Sequence, residues 1–140
     1  MENKSVIFID SNYWIYLLDA ATMEHVYIKN HFKKIYDNYK LAINVVVLVE
    51  VMHYLVKRLG NQIAKDKWKL FTRIDFLCTD VVFEDLDYIF NELIKYSHTG
   101  IGGRDATIIN SMKSLNITEI CTHDKSFLKI PDIKVTDPVP

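Results

Sequence analysis

The stretch Ser5-Val-Ile-Phe-Ile-Asp10-Ser-Asn-Tyr-Trp-Ile-Tyr-Leu-Leu18 decides the fold of this chain. Residues 5–9 form a continuous β-branched and aromatic run, the pattern of a short strand buried on both faces. Asp10-Ser11-Asn12 then signals a helix start, and residues 13–18 supply its apolar beginning. A buried strand passing straight into a helix is the opening of a βαβ unit.

The alternation continues outward from there. A second helix is expected over about residues 23–39, where Val26, Ile28, Phe32, Ile35, Tyr36 and Tyr39 fall mostly on one face. Residues 41–43 read as a short strand. Asn44 suits the N-cap of a helix over about 45–58 that Gly60 stops, although the valines at 45–47 would equally prolong the strand. The spacing of Glu50 with Tyr54, and of Met52 with Leu55 and Leu59, favours the helix. A helix over about 62–73 packs through Ile63, Trp68 and Phe71, and a strand lies within 76–82. A helix with an acidic start covers about 83–96. Gly100-Ile-Gly-Gly103 breaks the chain before a helix over 104–114, a buried strand over 119–122 and a last strand over about 133–135. No repeat or long linker divides the chain. One domain over residues 1–140 is expected, with a mostly parallel sheet covered by helices on both faces.

Composition narrows the class. A chain of 140 residues with 49% hydrophobic and 12% aromatic content supports a packed core, and disorder is excluded. The formal charge is −1, so nucleic-acid binding would have to rest on locally grouped basic residues. Lys57, Arg58, Lys65, Lys67, Lys69 and Arg73 form the densest such group. With Trp68 and Tyr54 nearby they either steer and stack single-stranded RNA or form a solvated face, with Trp68 in the core. Tyr13, Trp14 and Tyr16 are expected in a core or a dimer surface. Cys78 and Cys121, the only cysteines, lie in strand-like sequence and read as buried free thiols of a reducing cytoplasm. They offer no zinc-ligand spacing. No apolar run approaches the ~20 residues of a membrane span, and no secretory signal is present; a soluble cytoplasmic domain is expected.

Four acids stand in apolar settings: Asp10 after Val-Ile-Phe-Ile, Glu50 within Val-Leu-Val-Glu-Val-Met, Asp105 before Ala-Thr-Ile-Ile, and Asp124 after Glu-Ile-Cys-Thr-His. Carboxylates that give up water need a partner, and a group of them needs a cation. Asp10 and Asp124 fall at the C-terminal ends of strands, where ligands collect in parallel α/β sheets. Each also has a plainer role: Asp10 as an N-cap, Asp105 as a first-turn charge, Asp124 as a turn former, Glu50 in a polar stripe with His53 and Lys57. Asp19, Asp37, Asp66, Asp75, Asp80, Glu84, Asp85, Asp87 and Glu92 sit in polar surroundings and read as solvated.

These motifs resemble the PIN domain, particularly the short VapC-type toxins of toxin–antitoxin pairs. Phe8-Ile-Asp10-Ser-Asn12 resembles the opening strand, catalytic Asp and nearby Asn of that family. Val47-Leu-Val-Glu50-Val-Met resembles the helix carrying its Glu. Gly102-Gly-Arg-Asp105-Ala-Thr-Ile-Ile resembles the helix with the third acid, and Thr122-His-Asp124-Lys-Ser-Phe127 the segment with the fourth. Asn44, six positions before Glu50, departs from the Ser or Thr of many relatives; it caps a helix as well but brings an amide in place of that hydroxyl.

The resemblance implies a three-layer α/β/α sandwich and metal-dependent hydrolysis of RNA. Asp10, Glu50, Asp105 and Asp124 would be the catalytic acids and would hold one or two Mg²⁺ or Mn²⁺ ions. Asp10, Asp105 and Asp124 are the expected ligands; Glu50 either joins them or orients the attacking water. Asn12 and Thr122 are expected to support the acids by hydrogen bonds, or to serve only as cap and turn residues. Arg104 would face a substrate phosphate or simply an acid. A homodimer and a small antitoxin protein are further implied partners. Two other readings stand beside this one: a PIN-like RNA-binding or scaffold module that no longer cleaves, and a receiver-like domain. The receiver reading needs paired acids at the end of the first strand, where only Asp10 is present.

Overall fold

A computed structural model describes residues 3–140. Five strands, β1 (Ser5–Ile9), β2 (Tyr39–Asn44), β3 (Phe76–Thr79), β4 (Glu119–Cys121) and β5 (Lys134–Thr136), form one sheet in the order β3-β2-β1-β4-β5. Every pairing is parallel, so the expected mostly parallel sheet is wholly so. Six α-helices flank it in an α/β/α arrangement: α1 (Ser11–Leu18), α2 (His25–Ile35), α3 (Val45–Tyr54), α4 (Asn61–Thr72), α5 (Leu86–Lys95) and α6 (Gly103–Ser114). Helix α1 packs against α2 and α3, and α5 against α6.

Burial explains the continuous apolar runs. Ile7, Phe8 and Ile9 are each at most 1% exposed, as are Leu41, Ala42 and Ile43. Consecutive strand residues point to opposite faces, so both faces of β1 and β2 are covered. Trp14 is the largest buried side chain, with its ring centroid 5.1 Å from that of Phe71 and 5.9 Å from that of Phe32. Tyr13 and Trp14 therefore belong to the core.

Several expectations need correction. Helix α2 ends at Ile35 and β2 starts at Tyr39, because the chain must extend to pair with β1 from Ser5↔Tyr39 onward. The helix after Asn44 is α only to Tyr54; Leu55–Leu59 form a π-helical turn before Gly60 (φ +82). Ile63 is exposed rather than packed, and Ala64 and Phe71 are the buried residues of this helix. Cys78 is exposed because β3 is an edge strand; Cys121 is buried, and both thiols are free.

The strand order fixes where a site can form. From β1 the chain moves through β2 to the β3 edge, then returns to lay β4 on the other side of β1. The crevice beyond the carboxyl ends of β1 and β4 lies at this reversal, where parallel α/β sheets bind ligands.

Candidate active site

Asp10 follows β1 and Thr122 follows β4, side by side: the Asp10 amide continues the ladder by donating to the Cys121 carbonyl at 3.0 Å. Asp10 is fully buried. Its Oδ1 accepts from the Ser11 amide at 2.6 Å, capping α1 as expected, while its Oδ2 accepts from the Thr122 hydroxyl at 2.7 Å. Asn12 Nδ2 lies 3.2 Å from Thr122 Oγ1, and its Oδ1 accepts from the His123 amide at 3.2 Å. Asn12 and Thr122 thus tie the ends of β1 and β4 together around the Asp10 carboxylate.

The other acids arrive from three further segments. Asn44 caps α3 by accepting from the Val47 amide at 2.9 Å, which starts the helix whose second turn carries Glu50. Asp105 sits in the first turn of α6 and accepts from the Gly102 amide at 3.2 Å. The preceding loop turns at Gly100 (φ +89), where an added Cβ would lie 3.1 Å from Ser126 Oγ. Asp124 accepts from the Ser126 amide at 2.9 Å and opens the short 3-10 turn Lys125–Lys129. The capping, first-turn and turn-forming roles of Asp10, Asp105 and Asp124 are therefore filled, and the acids still converge.

They converge on Arg104. Its Nη1 lies 2.7 Å from Asp10 Oδ1, its Nε 3.0 Å from Glu50 Oε1, and its Nη2 2.8 Å from Asp105 Oδ1 and 4.0 Å from Asp124 Oδ2. The contacts to Glu50 and Asp105 lack hydrogen-bond alignment, leaving those two buried oxygens with no directed donor. Burial raises the Glu50 and Asp105 pKa values above the usual carboxylate range; Arg104 opposes this, and neighbouring acids reinforce it. Burial also works against the Arg104 charge, but Asp10, Asp105 and Glu50 outweigh it and its pKa moves up. Among the described residues, no three Asp, Glu, His or Cys side chains form a group able to hold a metal ion in this arrangement.

The resemblance to PIN domains holds across the chain: residues 7–133 match the PIN domain family. This chain is a PIN domain protein. Solved structures with the same fold include Mycobacterium tuberculosis VapC20, a sarcin–ricin loop cleaving toxin, with a TM-score of 0.76 and 19% identity over 87% of this chain and 92% of that one. VapBC2 from Rickettsia felis, bound to a promoter DNA fragment, gives a TM-score of 0.75 at 18% identity, covering 94% and 98% of the two chains. FitAcB from Neisseria gonorrhoeae gives 0.64 at 20% identity, covering 94% and 97%. No curated protein sequence matches the chain.

Around this PIN-domain centre, the basic group divides. Lys57 and Arg58 are exposed on the π-helical turn and, with Glu50, His53, Tyr54 and Ile15, line a cavity of about 450 Å³. Trp68 is partly buried against Phe71 and lines an apolar groove with Met52, Leu55, Val56 and Ala64. His123 pairs with Asp137 at 2.8 Å. Asp19 was expected to be solvated but is buried; it accepts from Tyr54 Oη at 2.7 Å and from the Ala21 amide at 3.1 Å. Glu92 is likewise mostly covered, paired with Lys113. The Asp19–Tyr54 bond holds α1 to α3, and with them Asp10 and Glu50. Nothing in the sequence signals that pairing, since its members lie 35 positions apart.

Proposed function

We propose that this chain is a divalent-metal-dependent endoribonuclease, the toxin of a toxin–antitoxin pair, acting in the cytoplasm as one domain over residues 1–140. The observation that carries this reading is the convergence of Asp10, Glu50, Asp105 and Asp124, from four segments, on one point at the sheet's switch position. The donor set fits Mg²⁺ or Mn²⁺: all the facing atoms are carboxylate oxygens, two buried ones lack a directed donor, and one cation serves four acids. Asp10, Asp105 and Asp124 would hold the ion, with Glu50 at the mouth as a further ligand or as the group that orients water. A bound divalent ion supplies Lewis acidity toward the phosphodiester and acidifies water.

The protein's own groups then have definite tasks. Thr122 and Asn12 hold Asp10 in one orientation, so the acid is preorganised rather than recruited. Glu50 is 35% exposed with a pKa raised chiefly by burial, which suits a group that takes and returns a proton of the attacking water. Lys57 and Arg58, neither of them ion-paired among the described residues, offer positive charge to RNA phosphates beside Glu50.

Partners follow from the surface. The apolar groove of about 370 Å³ between α3 and α4, with exposed Met52 and Val56 in its lining, suits a small antitoxin, and several similar structures are toxin–antitoxin complexes. Leu86, Phe90 and Ile94 form an exposed stripe on α5 that suits a homodimer contact. Two free thiols fit a reducing compartment, and no helix of the described residues is long and apolar enough to cross a membrane. One observation favours the alternative of a non-catalytic RNA-binding module: a guanidinium already stands among the acids. The two readings separate on cleavage of a defined RNA by purified protein, abolished by EDTA and restored by Mg²⁺ or Mn²⁺. A module without activity stays inert under both metals.

A further inference from the structure

Arg104 is the only cation within ion-pairing distance of any of the four acids among the described residues, and it faces all four at once. A planar guanidinium spreads its charge over five N–H donors in a fixed fork, so it can lie close to several carboxylates at once. Here it spans acids contributed by the end of β1, the middle of α3, the start of α6 and the segment after β4. It stands in the space they share, and no three of them form a metal-holding group in this arrangement among the described residues. The side chain is 28% exposed, so it has a way out to solvent that does not require the core to open.

We propose that Arg104 is the resident cation of this site and competes directly with the divalent ion, so that metal entry requires the guanidinium to leave. The inference rests on the metal-binding reading above and deepens it. Four carboxylates with one guanidinium leave three negative charges uncompensated, which draws in a divalent ion. The same guanidinium repels that ion and fills its place. Metal affinity is thereby set below what the four acids alone would give, and metal-free protein holds its acids together without unfolding. Once displaced, Arg104 remains tethered at the mouth through α6, within reach of an RNA phosphate.

The test is calorimetric titration of the metal-free chain with Mn²⁺, comparing wild type, Arg104→Gln and Asp10→Asn. Arg104→Gln is expected to bind Mn²⁺ more tightly by on the order of tenfold or more, the effect of removing one charge a few ångströms from a dication. It is also expected to melt lower than wild type in EDTA and to gain more thermal stability on adding Mn²⁺. Equal or weaker Mn²⁺ binding by Arg104→Gln, with wild-type binding intact, overturns the competition while leaving the metal site standing. Absence of Mn²⁺ binding in both wild type and Arg104→Gln overturns the metal reading itself, and the competition with it. A second measurement needs no variant: the Arg104 Nε–H resonance of ¹⁵N-labelled wild type should move toward that of a free arginine as Mg²⁺ is added. A resonance that stays fixed while Mg²⁺ binds overturns the proposal.

Discussion

Thr122 donates its hydroxyl hydrogen to Asp10 Oδ2 across 2.7 Å, joining two residues 112 positions apart at the ends of adjacent strands. Thr122 Oγ1 in turn accepts from the Asp124 amide at 3.0 Å, so one hydroxyl positions two acids of the site. Thr122→Val keeps the shape and removes the donor from a fully buried carboxylate. It should cost about 1–3 kcal/mol of stability, read by urea denaturation, whereas Thr122→Ser should lose much less. A loss in Thr122→Ser as large as that in Thr122→Val would contradict the hydroxyl's leading part.

Asn44 joins α3 to α6 as well as capping α3. Its Nδ2 donates to Thr107 Oγ1 at 3.3 Å and Ser111 Oγ at 3.2 Å, behind the helix that carries Arg104 and Asp105. Asn44→Ala should lower the unfolding free energy by about 1–2 kcal/mol from the cap alone, with more from the lost bonds to Thr107 and Ser111. Asn44→Ser should recover most of the cap term. The check is the urea midpoint at unchanged slope; an Asn44→Ser protein no more stable than Asn44→Ala removes the capping argument.

His31 gives the fold a pH dependence away from the acids. Burial, and then the charge of Lys34, hold its pKa below the usual imidazole value, and its Nδ1 lies 2.8 Å from Tyr13 Oη. The folded state binds this proton more weakly than the unfolded state, so stability is lost as pH falls from the ordinary imidazole value through the lower folded one. Wild type should therefore lose more stability than His31→Gln between about pH 7 and about pH 5. Matching slopes for the two proteins would contradict this.

Trp14 fills the interface between α1, α2 and α4 with no hydrogen bond at Nε1. Trp14→Ala should cost about 3–5 kcal/mol. Trp14→Phe should cost clearly less, because it removes an unpaired donor along with part of the volume. A phenylalanine variant as unstable as the alanine one, in thermal or urea unfolding, would mean that Nε1 has a partner in solution.

What the sequence made legible was local. Asp10 and Asn44 could be read as caps because a cap depends on the next three residues, and the four acids stood out because their neighbours are apolar. The geometry between segments was not legible in the same way. Tyr54 and Asp19 meet only because α1 and α3 pack together, so a buried acid looked like a solvated one. Cys78 is exposed because its strand ends at an edge, a matter of sheet order rather than of its own neighbours. The π-helical turn at Leu55–Leu59 hides in a pattern that an α-helix would satisfy equally. Arg104 was visible as a neighbour of Asp105, but its place among all four acids needed the fold.

The central claim is that the convergent acids are the catalytic centre of a metal-dependent ribonuclease. The most direct measurement is cleavage of one defined RNA by wild type, Asp10→Asn and Asp105→Asn, purified identically and shown to be folded, with Mg²⁺ or Mn²⁺ supplied. The account predicts efficient cleavage by wild type, with each variant slower by on the order of a hundredfold or more, as expected when a group stabilising the transition state is lost. Equal cleavage by all three proteins would contradict it, because the activity would then come from something other than these carboxylates.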